Sequence, residues 1–233
     1  MTDSIIDRRL LLGAGALLAA AAADAKAEPA AAAGPAAYSP KPATMTFDPK
    51  AVPGLSERLL VSHYDNNYTG AVKRLGAIEA QIAALDPATA PGFQINGLKR
   101  EELIAWNSMI LHELYFAGLG APKPAGASLA QAIERDFGSQ ARWRAEFTGM
   151  GKALGGGSGW VLLTYSHRDR RLTNQWAADH TMTLAGATPI LALDMYEHAY
   201  ALDYGAKAAA YVDAVVAGLN WSAADAAFAR AAA

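Results

Sequence analysis

Asp194-Met195-Tyr196-Glu197-His198-Ala199-Tyr200 follows directly on the apolar run Thr188 to Leu193. The run has the length of a buried strand. The stretch after it, Tyr196 to Leu219, reads as a helix. A carboxylate that closes a strand and an imidazole four residues later, one turn into a helix, can aim at one point. What that pair does depends on what the rest of the chain can bring to it.

Three of the five histidines, His63, His112 and His198, sit in apolar or helical contexts. Taken singly, each reads as a hydrogen-bonded core residue. Taken with Asp194, they offer three imidazoles and one carboxylate, a set that suits manganese, iron or zinc better than copper(I) or calcium. Spacing alone leaves open whether the four converge. His63 belongs to a helical pattern, Leu55 to Leu85, with apolar residues near a 3.6-residue period, Ser56 as N-cap, and Asp86-Pro87 and Pro91-Gly92 at its end. His112 belongs to a second pattern, Leu98 to Leu119, bounded by Pro122-Lys123-Pro124. Two such helices joined by a short loop make an antiparallel helical hairpin.

The second half is mixed. Ser128 to Phe137 and Ala141 to Ala153 read as short helices, and Trp160 to Tyr165, Leu172 to Trp176 and Thr188 to Leu193 as strands. The fold class is therefore α+β: a long N-terminal helical hairpin over 55–121, then a C-terminal α/β domain over 122–233 with a small three-stranded antiparallel sheet. Six glycines between Gly149 and Gly159 read as a tight entry into the Trp160 strand. They are not a phosphate loop, because Lys152 is followed by Ala153 and no G-x-x-x-x-G-K-[ST] is present.

With 52% hydrophobic and 18% charged residues the chain can bury a substantial core. A net charge of −2 gives no reason to expect nucleic acid or an anionic membrane as partner. The absence of cysteine excludes disulfides, thiolate metal sites, iron–sulfur clusters and a thiol nucleophile. Residues 1–27 read as an export signal: Arg8-Arg9, an apolar run Leu10 to Ala23 too short to span a bilayer, and the small-x-small site Ala25-Lys26-Ala27. The arginine pair and the mild Gly/Ala-rich run resemble a twin-arginine signal, which implies a periplasmic protein with no membrane anchor after cleavage. Residues 28–54 hold six of the eleven prolines and read as an extended arm.

From about Phe47 to Trp221 the chain resembles the iron/manganese superoxide dismutase family. The resemblance is carried by Leu55-Ser56-Glu57 with His63-Tyr64, by Asn107 to His112 with Tyr115 and Phe116 to Leu119, by Gly157-Ser158-Gly159-Trp160, by the Asp194 to Tyr200 stretch, and by Asp203-Tyr204 and Tyr211 to Asn220-Trp221. It implies disproportionation of superoxide to oxygen and hydrogen peroxide at one Fe or Mn ion per subunit. The implied ligands are His63, His112, Asp194 and His198. It also implies roles beside the metal for Trp160 and Tyr115. His180 falls where the family places a hydrogen-bond donor just outside the ligands, with Ser108 as the other position for that donor. Glu197 is implied to pair across a homodimer with the partner's metal-binding histidine.

Departures cluster outside the ligands. On a straight helix residues 63, 67 and 71 share one face, and there the family's later histidine and gating tyrosine are replaced by Asn67 and Ala71. Tyr68 lies about 100° from Asn67 around such a helix. Ala201 replaces a second tyrosine, and Tyr196 stands for the usual tryptophan. A non-enzymatic metal-binding relative is therefore the second reading, beside the enzyme. A metal-dependent hydrolase is a poorer third, since no spare acidic base accompanies the ligands. The export reading makes its own prediction: intact-mass analysis of secreted protein should find an N-terminus near Glu28. Exported material retaining Met1 to Ala27 would contradict it, and the double change Arg8→Lys, Arg9→Lys should block export.

Overall fold

A computed structural model describes residues 36–233; residues 1–27, expected as an export signal, and the start of the expected arm lie outside the described residues. The first long helix begins where Ser56 caps it, its hydroxyl accepting from the Leu59 N–H at 3.1 Å. The same serine donates to the carboxylate of Asp203, so the cap also ties the hairpin to the C-terminal domain. The helix then runs as α-helix Glu57–Ser62, π-helix His63–Tyr68 and α-helix Thr69–Ala84. A straight 3.6-residue helix was expected throughout, and the π segment is the main local difference. The second long helix, Gly92–Ala117, starts earlier than expected, because Pro91 takes the N-cap position rather than ending a loop. The pair buries Leu59, Leu60, Val72 and Leu75 against Ala105, Met109 and Phe116.

The C-terminal half opens with helices Ala127–Phe137 and Gln140–Ala153 and continues into three strands: β1 Trp160–Ser166, β2 Arg171–Ala177 and β3 Ala187–Asp194. The order is β2-β1-β3, antiparallel on both sides. Every residue of the central strand is buried, which explains its unbroken apolar run. Its register sets Trp160 directly opposite Asp194. A bulge lies where Leu163 pairs with Leu191 but Thr164 with Pro189. Proline cannot donate to the ladder, and it is tolerated on this outer strand.

The glycine run serves strand entry as expected. Gly159 has φ +130°, and a Cβ there would collide with the Ala177 carbonyl. The stretch expected as one helix over Tyr196 to Leu219 is broken. A 3-10 turn Glu197–Ala199 and a short helix Ala201–Tyr204 precede Gly205, with φ +53°, and the helix Ala208–Ala217. A final helix, Ser222–Ala232, was not anticipated; its alanine-rich sequence hides the stripe Ala224, Ala227 and Phe228 that it buries. Part of the arm lies on the hairpin, with Tyr38 stacked on Trp106 at 5.0 Å. Among the described residues no helix is long and apolar enough to cross a membrane.

Candidate metal centre

His63 opens the π segment and is fully buried. Hydrogen bonding of the i→i+5 type brings residues five apart near one face. Tyr68 is therefore buried, with its ring 6.4 Å from that of His112, and is not turned aside as a straight helix would turn it. Its hydroxyl is committed elsewhere: it accepts from the Ala43 N–H and donates to Glu113. Tyr64, on the same segment, donates to the Ala43 carbonyl. The arm is thus fastened to the stretch that carries the first histidine.

The second long helix supplies His112, the end of β3 supplies Asp194, and the following 3-10 turn supplies His198. One donor atom from each of the four lies within 4.8 Å of the others. The Nε2 atoms of His63, His112 and His198 stand 3.2, 3.6 and 3.2 Å from Asp194 Oδ2. Donors about 2.1 Å from a common ion sit at such separations. Asp194 divides its oxygens: Oδ1 accepts from the Tyr196 N–H at 2.9 Å, and Oδ2 faces the imidazoles. His112 donates from Nδ1 to the Ser108 carbonyl at 2.6 Å, which fixes its tautomer and leaves Nε2 as a bare lone pair. Both His63 ring nitrogens and His112 Nε2 are buried with no hydrogen-bond partner. Buried polar atoms are rarely left so, and the two that face Asp194, His63 Nε2 and His112 Nε2, fit a metal ion.

The electrostatics agree. Burial, strongest of the influences, holds His63 below its ordinary value and pulls His112 down to about 3, with the neighbouring imidazoles adding to the fall. Both rings are neutral at pH 7, the form that ligates. Burial opposes the charge of Asp194, yet the hydrogen bond with His198 and the His63 imidazole beside it hold its carboxyl well below the usual range. It is the one anionic ligand of the set.

The predicted neighbours fall around this cluster. Trp160 donates its indole N–H to His180 Nδ1 at 3.0 Å, and Asn107 donates to the His180 carbonyl. A loop residue is thus held by both domains. Tyr115 packs 5.2 Å from His63, and its hydroxyl meets that of Tyr211, which donates to the Asp194 carbonyl at 2.7 Å. Ser108 contributes its carbonyl rather than its hydroxyl, which lies 3.5 Å from His112 Nδ1. Glu197 is exposed beside His198. Tyr211 and Asn107 act through hydrogen bonds that reach across the fold, and no local pattern marked them for that work.

The comparisons with known proteins give the class. Residues 124–227 match the family of iron/manganese superoxide dismutases, C-terminal domain. The chain is 66% identical to an iron superoxide dismutase of Cupriavidus metallidurans over 83% of this chain and 98% of the relative. It is 35% identical to a manganese superoxide dismutase of Halobacterium salinarum, over 72% of this chain and 84% of that protein. It is 31% identical to an iron superoxide dismutase of Aquifex pyrophilus, over 74% and 84%. The chain belongs to the iron/manganese superoxide dismutase family.

The buried neutral imidazoles make the metal-free protein sensitive to acid. Unfolded histidines take up protons near pH 6.5, whereas folded His63 and His112 do not. The unfolded state then binds more protons as pH falls, so stability drops below that pH, by roughly 1 kcal/mol from His112 at pH 5.5, with His63 adding to the loss in the same direction. Asp194 adds its own loss only below about pH 4, the unfolded carboxyl range. Calorimetry of metal-free protein should show the melting temperature falling by at least about 2–4 °C between pH 7.5 and 5.5. A flat profile would show that these rings are not held neutral.

Proposed function

We propose that the protein is a superoxide dismutase working with one Fe or Mn ion per chain, held by His63, His112, Asp194 and His198. The observation that carries this is the convergence of three imidazoles, two of them with buried partnerless nitrogens, on one carboxylate oxygen. The bound ion supplies the one-electron exchange that disproportionation needs, taking an electron from one superoxide and giving it to another. Asp194 contributes a single negative charge, so the residues offset only part of the ion's charge and leave both oxidation states within reach. The Tyr211 hydroxyl holds the Asp194 backbone, and the Ser108 carbonyl orients His112, so the donor set is fixed before a metal arrives.

His180 has a defined part. Burial holds its ring below the ordinary value, so it is neutral. Because Nδ1 accepts from Trp160, the proton sits on Nε2. The ring can then offer one hydrogen bond at that atom. Superoxide leaving as peroxide needs two protons; a neutral imidazole is too weak an acid to give one up, so His180 would hold the group being protonated through its Nε2–H while the protons come from solvent.

Two further readings belong here. We infer a homodimer, supported by the exposed Glu197 next to His198 and by the family resemblance at that position. We also infer export to the periplasm, supported by Arg8-Arg9 and the site at Ala27. The test of function is superoxide consumption by protein purified with its native metal, followed by pulse radiolysis. Close to one Fe or Mn per chain, rapid consumption, and loss of both in Asp194→Ala are expected. Full occupancy without any consumption would favour a non-enzymatic metal-binding relative.

A further inference from the structure

The arm and the helical hairpin enclose a cavity of about 230 Å³. Ala43 to Thr46 line it from the arm, and Tyr64, Tyr68, Glu113 and Phe116 line it from the two long helices. A drug-sized ligand needs about 300 Å³ or more, so this space suits something smaller. The cavity lies outside the metal centre but shares walls with it. Phe116 packs 5.0 Å from His63, and Tyr68 lies 6.4 Å from His112.

The three aromatic rings meet as adjacent walls. Tyr64 lies 5.2 Å from Tyr68 and 5.7 Å from Phe116, and Tyr68 lies 6.1 Å from Phe116. The planes are inclined to one another by 53°, 68° and 62°. Rings so inclined form a corner rather than a stack, and a guest in the corner can sit over more than one of them. Both tyrosines are held in place before any guest arrives. The Tyr64 hydroxyl donates to the Ala43 carbonyl at 2.7 Å. The Tyr68 hydroxyl accepts from the Ala43 N–H at 2.6 Å and donates to Glu113 Oε1 at 2.8 Å.

Glu113 is the one charged residue of the lining, and it is half-buried. Among the described residues no lysine, arginine or histidine forms an ion pair with it. A carboxylate drawn partly out of water among carbon walls calls for a cationic partner.

We propose that this cavity binds a small free alkylammonium ion, with Glu113 as its counter-charge and Tyr64, Tyr68 and Phe116 as an aromatic cage. Ring faces attract a cation that comes within about 6 Å of the centroid, and quaternary ammonium groups are recognised in this way. A methylated ammonium matches both features of the site, because it carries charge and presents methyl groups to apolar walls. A bare metal cation would have to shed its water against carbon. A neutral molecule of the same shape gains nothing from Glu113. The fixed rings lower the ordering cost of binding. This site is independent of the dismutase reading.

The test uses the full chain with its native metal and tetramethylammonium chloride as probe, followed by proton NMR of the probe at constant ionic strength. Saturable binding is expected, with the neutral analogue tert-butanol about tenfold weaker. Glu113→Gln keeps an acceptor for the Tyr68 hydroxyl and should retain the metal. It should weaken the ion about tenfold, the range of one partly desolvated ion pair. Tyr64→Leu removes one wall and should weaken it about threefold. Equal binding of tert-butanol, or unchanged affinity in Glu113→Gln, overturns the proposal. So does displacement of the probe by an equal concentration of sodium. If Tyr64→Leu binds as tightly as wild type, the carboxylate acts alone and the cage is wrong. Glu113-dependent binding to phosphatidylcholine vesicles without binding of the free ion would assign the site to a lipid headgroup and overturn the proposal as stated.

Discussion

One carboxylate oxygen organises this protein. Asp194 Oδ2 sits among three imidazole nitrogens drawn from two helices and a turn, all within 3.6 Å of it. Without a cation between them, this arrangement leaves buried lone pairs facing one another, with two rings lacking any partner for the inward nitrogen. Buried polar groups of this kind cost free energy unless something satisfies them. A cation does so at once, and metal binding then contributes to the stability of the folded state. The hairpin and the α/β domain meet at that point, so the metal centre is also the seam between them.

The sheet explains how the carboxylate reaches the seam. β1 is buried throughout and pairs on both sides, which fixes its register. That register places Trp160 opposite Asp194, at the same end of the sheet. The indole then holds His180, and the turn after Asp194 brings back His198. Gly159 permits the tight entry that sets Trp160 in place. A side chain there would press on β2 and shift the register on which the site depends.

Much of this was legible in the sequence because the relevant signals are local. The apolar run before Asp194, the capped pattern after Ser56 and the proline boundaries each declare an element within about ten residues. The three-stranded sheet and the hairpin were readable for that reason. The π segment was not: His63 to Tyr68, with Asp65, Asn66 and Asn67 in a row, is poor in strong helix formers, but low propensity does not say that an extra residue enters the turn, which packing accommodates. The misread position of Tyr68 follows from it. The break of the expected Tyr196 to Leu219 helix lay in Gly205 and in the need for His198 to turn back to Asp194. The last helix was masked by alanine, whose weak hydrophobicity gives a faint stripe. Four residues could be named as ligands by resemblance, but their convergence is a tertiary fact that no spacing contains. The same holds for Tyr211 and Asn107, which reach the site across 17 and 73 residues of chain.

Four protein donors, His63, His112, Asp194 and His198, should enclose a single redox ion. Anomalous diffraction from crystals of protein purified with its native metal, recorded at the iron, manganese and zinc edges, reads this directly. One strong peak at the iron or manganese edge, enclosed by His63, His112, Asp194 and His198, is the predicted result. A peak at the zinc edge alone, or a metal held away from these four residues, would contradict it.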